Sequence, residues 1–265
     1  MGKTKIKRVF DACTYYIKKP LDSVAVFLHI PKNAGTTVNS ILFSNYNYYR
    51  IYIPIVIGRN SVDGLPKTIH CEDQDIVTIR KTVTTIGNQL DCIGGHIPFG
   101  IHEYISKPCK YFTFLREPVD RSISQYNYAI MKNTLLARIL ERYDFDLSRV
   151  IEQKAAYQFM NDQTRMIIGS EKVDIGIDEF EQAKEVIKQH FVFVGTVGDF
   201  DKDILRLMKT LQWRHIPSQK ENIGIYLEGK KSFDQNTIRL LKDANEYDIK
   251  LYEWVLNTSK NININ

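Results

Sequence analysis

The run His29-Ile30-Pro31-Lys32-Asn33-Ala34-Gly35-Thr36-Thr37 gathers residue types that hold an anion: a lysine, two hydroxyls and a glycine, placed where an apolar segment gives way to a helical one. A tight turn from strand to helix aims free backbone N–H groups at one point, and the helix dipole favours negative charge there; phosphate is the usual guest. Gly35 gives the turn access to φ values that other residues avoid, and Lys32 adds a full charge at the rim. A second candidate is Arg116, which follows another apolar run, with Ser124 further along. If a helix starts near Pro118, both can converge on one anion, Arg116 through the bidentate fork of its guanidinium. Between the two groups, Gly94-Gly95-His96 offers an imidazole, a side chain suited to taking a proton near neutral pH.

Each group has a plainer alternative. The first could be an ordinary capped turn, the second a surface ion pair with a routine helical serine, and His96 a structural histidine in a glycine-rich turn. The first is not a Walker loop, because that pattern needs G-x-x-x-x-G-K-[ST] and here Lys32 precedes the loop's only glycine. What favours the anion reading of the first loop is a second candidate anion site downstream.

The elements that must position these residues are readable. Val24 to Leu28 is a short β-branched apolar run, the pattern of a buried strand, and Pro31 ends it. Thr36 or Thr37 can cap a helix from Val38 to about Tyr46. Ile51 to Ile57 is a second strand, demoted toward an edge by Pro54. Residues 67–90 form short pieces of strand or helix, Leu90 to Gly95 a strand, and Lys110 to Leu115 a buried strand. Pro118 and Asp120 suit the first turn of a helix running toward Arg142. Leu147 to Ile168 reads as a helix stopped by Gly169, Asp178 to His190 as another, Phe191 to Val197 as a strand, Asp199 to Trp213 as a helix and Phe233 to Leu256 as the last. Strands alternating with helices imply an α/β fold: a central, mainly parallel sheet flanked by helices on both faces. Ligands then bind at the carboxyl ends of the strands, where both candidate anion loops lie.

Composition sets the frame. The 265 residues suit one domain, 1–265, with a basic leader over 1–22 and a flexible Asn-rich tail over 257–265. The net charge of +5, from 36 basic and 31 acidic residues, is too mild to imply a nucleic-acid partner. Cys13, Cys71, Cys92 and Cys109 form no C-x-x-C pair and read as thiols in a reducing compartment. No metal site is expected. No stretch has the length of a transmembrane helix, and the leader lacks the apolar core of a signal peptide. A cytoplasmic protein without membrane contact is expected.

Together the motifs resemble a known family. His29 through Thr37 resembles the 5′-phosphosulfate loop of carbohydrate sulfotransferases related to heparan sulfate 2-O-sulfotransferase, within sulfotransferase family 2. Arg116-Glu117-Pro118-Val119-Asp120-Arg121 through Ser124 and Tyr126 resembles that family's 3′-phosphate motif, and Gly95-His96 its glycine–histidine pair. Asn161-Asp162-Gln163-Thr164-Arg165 up to Gly169, and Val194-Gly195-Thr196, also match family patterns. The resemblance spans most of residues 24–256 and implies a P-loop-like nucleotide site at the carboxyl ends of the strands. It implies a metal-independent enzyme that moves a sulfuryl group from 3′-phosphoadenosine 5′-phosphosulfate (PAPS) to a hydroxyl of a carbohydrate or other small molecule, releasing adenosine 3′,5′-bisphosphate. By the same resemblance Lys32, Asn33, Ala34, Gly35, Thr36 and Thr37 hold the 5′ end, and Arg116 and Ser124 the 3′-phosphate. His96 is the general base, Lys32 steadies charge on the leaving oxygen, and Lys220 lies in a loop over the nucleotide.

The chain departs from the family at three places. Asn33 and Glu117 stand where Thr and Asp are commoner, and Gly94 stands where the relative has a second histidine, which argues against a two-histidine mechanism. His29 is expected to pack at the strand end or steady the loop. His102 is a candidate acceptor-site residue, Gln163 and Arg165 are structural or line the acceptor cleft, and Glu72 and Asp73 are alternative bases. Acceptor specificity is expected from residues 46–92 and 130–160. The competing functions are ATP-dependent phosphoryl transfer, which lacks its Walker loop here, and nucleotide binding without catalysis.

Overall fold

The computed structural model describes residues 21–53, 76–214 and 233–258. Five strands form one sheet: β1 (Val24–Leu28), β2 (Ile51–Tyr52), β3 (Cys92–Gly95), β4 (Cys109–Leu115) and β5 (Phe191–Thr196). Their order is β2-β3-β1-β4-β5, and every neighbouring pair is parallel. β1 is buried along its whole length, which is why it reads as an unbroken apolar run instead of an alternating one. Val24, Val26 and Leu28 face one core; Ala25 and Phe27 face the other.

Ten α-helices complete the described residues: α1 (Gly35–Asn45), α2 (Ile76–Ile86), α3 (Pro118–Lys132), α4 (Leu135–Glu141), α5 (Leu147–Glu152), α6 (Asp162–Ile168), α7 (Ile177–His190), α8 (Phe200–Leu211), α9 (Gln235–Ala244) and α10 (Glu246–Thr258). Val38, Ile41 and Leu42 of α1 and Ile204 and Leu207 of α8 pack on one face of the sheet. Ile79 and Val83 of α2, Phe180, Ala183 and Ile187 of α7, and Leu251 and Val255 of α10 pack on the other. The α/β architecture with a parallel sheet covered on both faces is as the sequence implies. A third apolar cluster ties α3, α4, α5 and α9 together through Tyr126, Leu140, Val150 and Leu241.

Three expected helices are broken. The segment after Pro118 stops at Asn133, whose backbone is left-handed (φ 48°), before α4 begins. Residues 147–168 split into α5, a 3₁₀ turn at Tyr157–Phe159 and α6, with Lys154 (φ 47°) and Asn161 (φ 45°) left-handed. The last helix divides at Asn245 into α9 and α10. Residues 76–86, assigned only loosely from sequence, form α2. β2 is an edge strand and ends before Pro54, which with the rest of that expected strand lies outside the described residues. Cys13, Cys71, Glu72, Asp73 and Lys220 also lie outside them, with most of the leader and tail.

The topology places a switch point at β1. The chain builds β3 on one side of β1, then crosses to build β4 and β5 on the other. The crevice between the carboxyl ends of β1 and β4 is where such sheets take ligands, and the loops after those two strands carry Lys32 and Arg116.

Candidate functional site

The loop after β1 is shaped by backbone strain and one close approach. Lys32 (φ 72°) and Ala34 (φ 60°) are both left-handed, a conformation that costs non-glycine residues of order 1–3 kcal/mol and gathers at ligand clamps. Ala34 is the N-cap of α1, and its side chain makes no capping bond; the helix starts at Gly35, earlier than expected, and neither Thr36 nor Thr37 is the cap. The N–H groups of Gly35 and Thr36, in the first turn, have no acceptor within the helix. Gly35 is not needed for its φ freedom, since its φ is not positive. A Cβ there would sit 1.7 Å from His29 Nε2, so only glycine admits the imidazole that packs against it.

His29 also joins the loop to His96. The two rings stack with centroids 4.2 Å apart, and His96 Nδ1 lies 2.9 Å from the His29 carbonyl oxygen. A carbonyl only accepts, so Nδ1 carries the proton and Nε2 keeps its lone pair. Burial lowers the pKa of both rings, most strongly for His29, where His96 and Lys32 add to the effect. His96 is exposed to solvent although protein packs around its ring. His96 is therefore a neutral imidazole with an available Nε2 at neutral pH.

Lys32 lies among cations. Burial, then Arg116, Arg121 and Lys132, bring its pKa down to about 8. Its Nζ sits 3.7 Å from the centre of the Tyr128 ring, a cation–π contact. The Arg116 guanidinium donates to the Lys32 carbonyl at 3.3 Å, so the two candidate anion loops touch. On α3, Glu117 caps the helix by accepting from the Asp120 N–H at 2.7 Å, and Pro118 takes the first turn; a side chain one methylene longer than Asp serves here. Ser124 is buried one turn before Tyr128, and this i,i+4 spacing puts both on one face, the face that meets Lys32.

The Asn33 side chain turns inward. Its Nδ2 donates to the Phe114 carbonyl and to Gln163 Oε1, both at 2.8 Å, and its backbone N–H closes a turn onto Ile30. It fastens the loop to β4 and α6. Gln163, at the start of α6, also accepts from the Arg116 N–H and donates to the Arg116 carbonyl. Beneath, the fully buried Arg121 pairs with Asp162 and donates to the Gln158 carbonyl at 2.8 Å. Arg165 braces the other oxygen of Asp162 and donates to the Met160 and Lys172 carbonyls. Two buried arginines and one buried carboxylate make a framework under the cleft.

The family model described as the sulfotransferase family matches residues 19–255. The chain belongs to the sulfotransferase family. No curated protein matches the sequence. In this sulfotransferase the matched span contains His29 to Thr37, His96, Arg116 and Ser124 together. Arg165 is a structural brace. His102 has its Nδ1 3.0 Å from the Tyr111 hydroxyl and its ring against Phe99 and His190. Among the described residues no group of three or more His, Cys, Asp or Glu could hold a metal, and no helix is long and apolar enough to cross a membrane.

Sequence reasoning missed Tyr128, the His29–His96 stack and Asp248. Asp248 of α10 accepts from the Gln163 N–H at 3.0 Å and from the Thr164 N–H and hydroxyl at 2.7 Å. Asn161 returns the favour, its Oδ1 accepting from the Tyr247 and Asp248 N–H groups that open α10. The only signal for this reciprocal capping was an Asn-Asp-Gln cluster at a helix start.

Proposed function

We propose that this sulfotransferase moves the sulfuryl group of PAPS to a hydroxyl of a carbohydrate acceptor, with His96 as general base. PAPS supplies an activated sulfuryl group and a 5′-phosphate leaving group. The observation that carries the reading is the union of base and anion loop in one unit: the carbonyl of His29, at the start of the loop, fixes the tautomer of His96, and the His29 ring rests on Gly35.

In this reading Nε2 of His96 takes the hydroxyl proton as the acceptor oxygen bonds to sulfur, and the sulfur–oxygen bond to the 5′-phosphate breaks. Lys32 and the first-turn N–H groups of α1 steady the negative charge that develops on the departing oxygen. Ala34 and Gly35 admit the phosphate through backbone alone, with the Thr36 and Thr37 hydroxyls as further donors. Asn33 contributes through the shape of the loop. Arg116 and Ser124 read the 3′-phosphate. We infer a cytoplasmic, reducing setting, supported by the free thiols Cys92 and Cys109.

The test is turnover with PAPS and a panel of hydroxylated oligosaccharides. His96→Ala is expected to lower kcat by about 10²–10⁴-fold, the usual share of a general base, with affinity for adenosine 3′,5′-bisphosphate unchanged. Unchanged turnover in that variant removes His96 as base. Transfer that requires a divalent cation and ATP instead would establish the phosphoryl-transfer alternative.

A further inference from the structure

One side chain ties the two halves of the candidate nucleotide site together. Gln163 is completely buried. Its Oε1 accepts from Asn33 Nδ2 at 2.8 Å and from the Arg116 N–H at 3.0 Å, and its Nε2 donates to the Arg116 carbonyl at 2.9 Å. Asn33 belongs to the loop after β1 and Arg116 to the loop after β4, so a single primary amide spans the crevice at the switch point. All three bonds are of good length, and they use the carbonyl oxygen twice and the amino group once.

Gln163 is itself held rigidly. Its own N–H donates to one oxygen of Asp248 while Thr164 takes the other, so α10 fixes where α6 begins. The other link between the two loops, from the Arg116 guanidinium to the Lys32 carbonyl, is longer at 3.3 Å and uses the group expected to engage the ligand. Bringing a phosphate to Arg116 competes with that link and leaves the Gln163 amide intact.

We propose that Gln163 is a positioning residue that sets the separation between the two anion sites. The protein thereby selects ligands carrying two anionic groups at that separation over ligands carrying either one alone. The physical basis is preorganisation: two sites held at fixed spacing let the second group of one ligand bind without the cost of ordering the second loop. This deepens the sulfotransferase reading and rests on it for the identity of the ligand.

The experiment is calorimetric titration of the wild type, Gln163→Met and Gln163→Glu with adenosine 5′-monophosphate, adenosine 3′-monophosphate and adenosine 3′,5′-bisphosphate. Methionine fills a similar volume and makes none of the three bonds. Glutamate keeps both acceptor bonds and loses the donor to Arg116. In Gln163→Met the bisphosphate is expected to bind about 10–100-fold more weakly, as part of the advantage of engaging two sites with one ligand is lost. Each monophosphate should stay within about threefold of wild type, and Gln163→Glu should fall between. If Gln163→Met does not fold, Gln163→Glu decides: a loss confined to the bisphosphate supports the coupling. Equal losses for all three ligands, or an unchanged bisphosphate affinity, overturn it. A wild type that binds the bisphosphate no tighter than the monophosphates instead overturns the functional reading beneath it.

Discussion

Gly35→Ala is the most sharply defined perturbation of this protein. The added methyl carbon would lie 1.7 Å from His29 Nε2 and 1.9 Å from His29 Cε1, about half of ordinary van der Waals separation. Neither side can yield cheaply. The methyl is fixed to the first turn of α1, and the His29 ring is buried between Phe27, with which it stacks at 5.2 Å, and His96, at 4.2 Å. Overpacking of a tight site costs about 1–3 kcal/mol, and the lost ring contacts add about 0.5–1.5 kcal/mol each. A total near 3 kcal/mol lowers Tm by roughly 6–12 °C for a chain of this size. Turnover should fall by about 10²-fold, because His96 loses the ring that sets its place. Gly94→Ala is the control, since its added carbon meets Phe27, Ile53 and Leu42 at ordinary distances of 3.4–3.5 Å. The assay is thermal denaturation of Gly35→Ala, His29→Ala and the double variant. Removing the ring should relieve the clash, leaving the double variant more stable than the sum of the two single losses by about 1–3 kcal/mol. A Gly35→Ala protein as stable as wild type, or strictly additive losses, would refute the close approach as the reason for glycine.

Three further outcomes follow from the site. Lys32 has its pKa near 8, so affinity for adenosine 3′,5′-bisphosphate should weaken as pH rises above 8, by up to about tenfold per unit. The stability of the free protein should change in the opposite sense there, because between pH 8 and the unfolded value of 10.5 the unfolded chain binds the extra proton; titrations from pH 7 to 9.5 check both, and a flat affinity contradicts the assignment. The lowered pKa of His96 puts the acid limb of kcat/KM below pH 6.5, activity falling as the ring is protonated; a limb above 7 would indicate another base. Asp248→Ala removes the cap of α6 and should cost about 2–3 kcal/mol in urea denaturation, from two lost N–H bonds and one hydroxyl bond.

The parts legible from sequence were those buried on both sides. β1, β4 and β5 show as continuous apolar runs because helices cover both faces of the sheet, and the loops after β1 and β4 stand out by residue type. The breaks at Asn133 and Lys154 were not legible, because the pieces on either side share one apolar cluster and so keep an apparently unbroken helical pattern; at Asn161 and Asn245 the chain passes from that cluster to the one against the sheet, a change of packing partner that periodicity does not show. Gly35 was read as backbone freedom, whereas its role is to admit a ring from six residues earlier. Gln163 and Asp248 left no periodic trace, since their partners are 47–130 and 84–85 residues away. The family resemblance makes Asn33 a ligand contact, and only the fold shows its amide nitrogen committed to Phe114 and Gln163.

The most direct test of the central claim is calorimetric titration of the wild-type protein with adenosine 3′,5′-bisphosphate against ADP, with and without magnesium. If Arg116 and Ser124 read a 3′-phosphate while the Lys32 loop holds the 5′ end, the bisphosphate binds at least about tenfold more tightly and magnesium makes no difference. Equal affinities, or a preference for ADP with magnesium, would contradict the sulfotransferase mechanism set out for these residues.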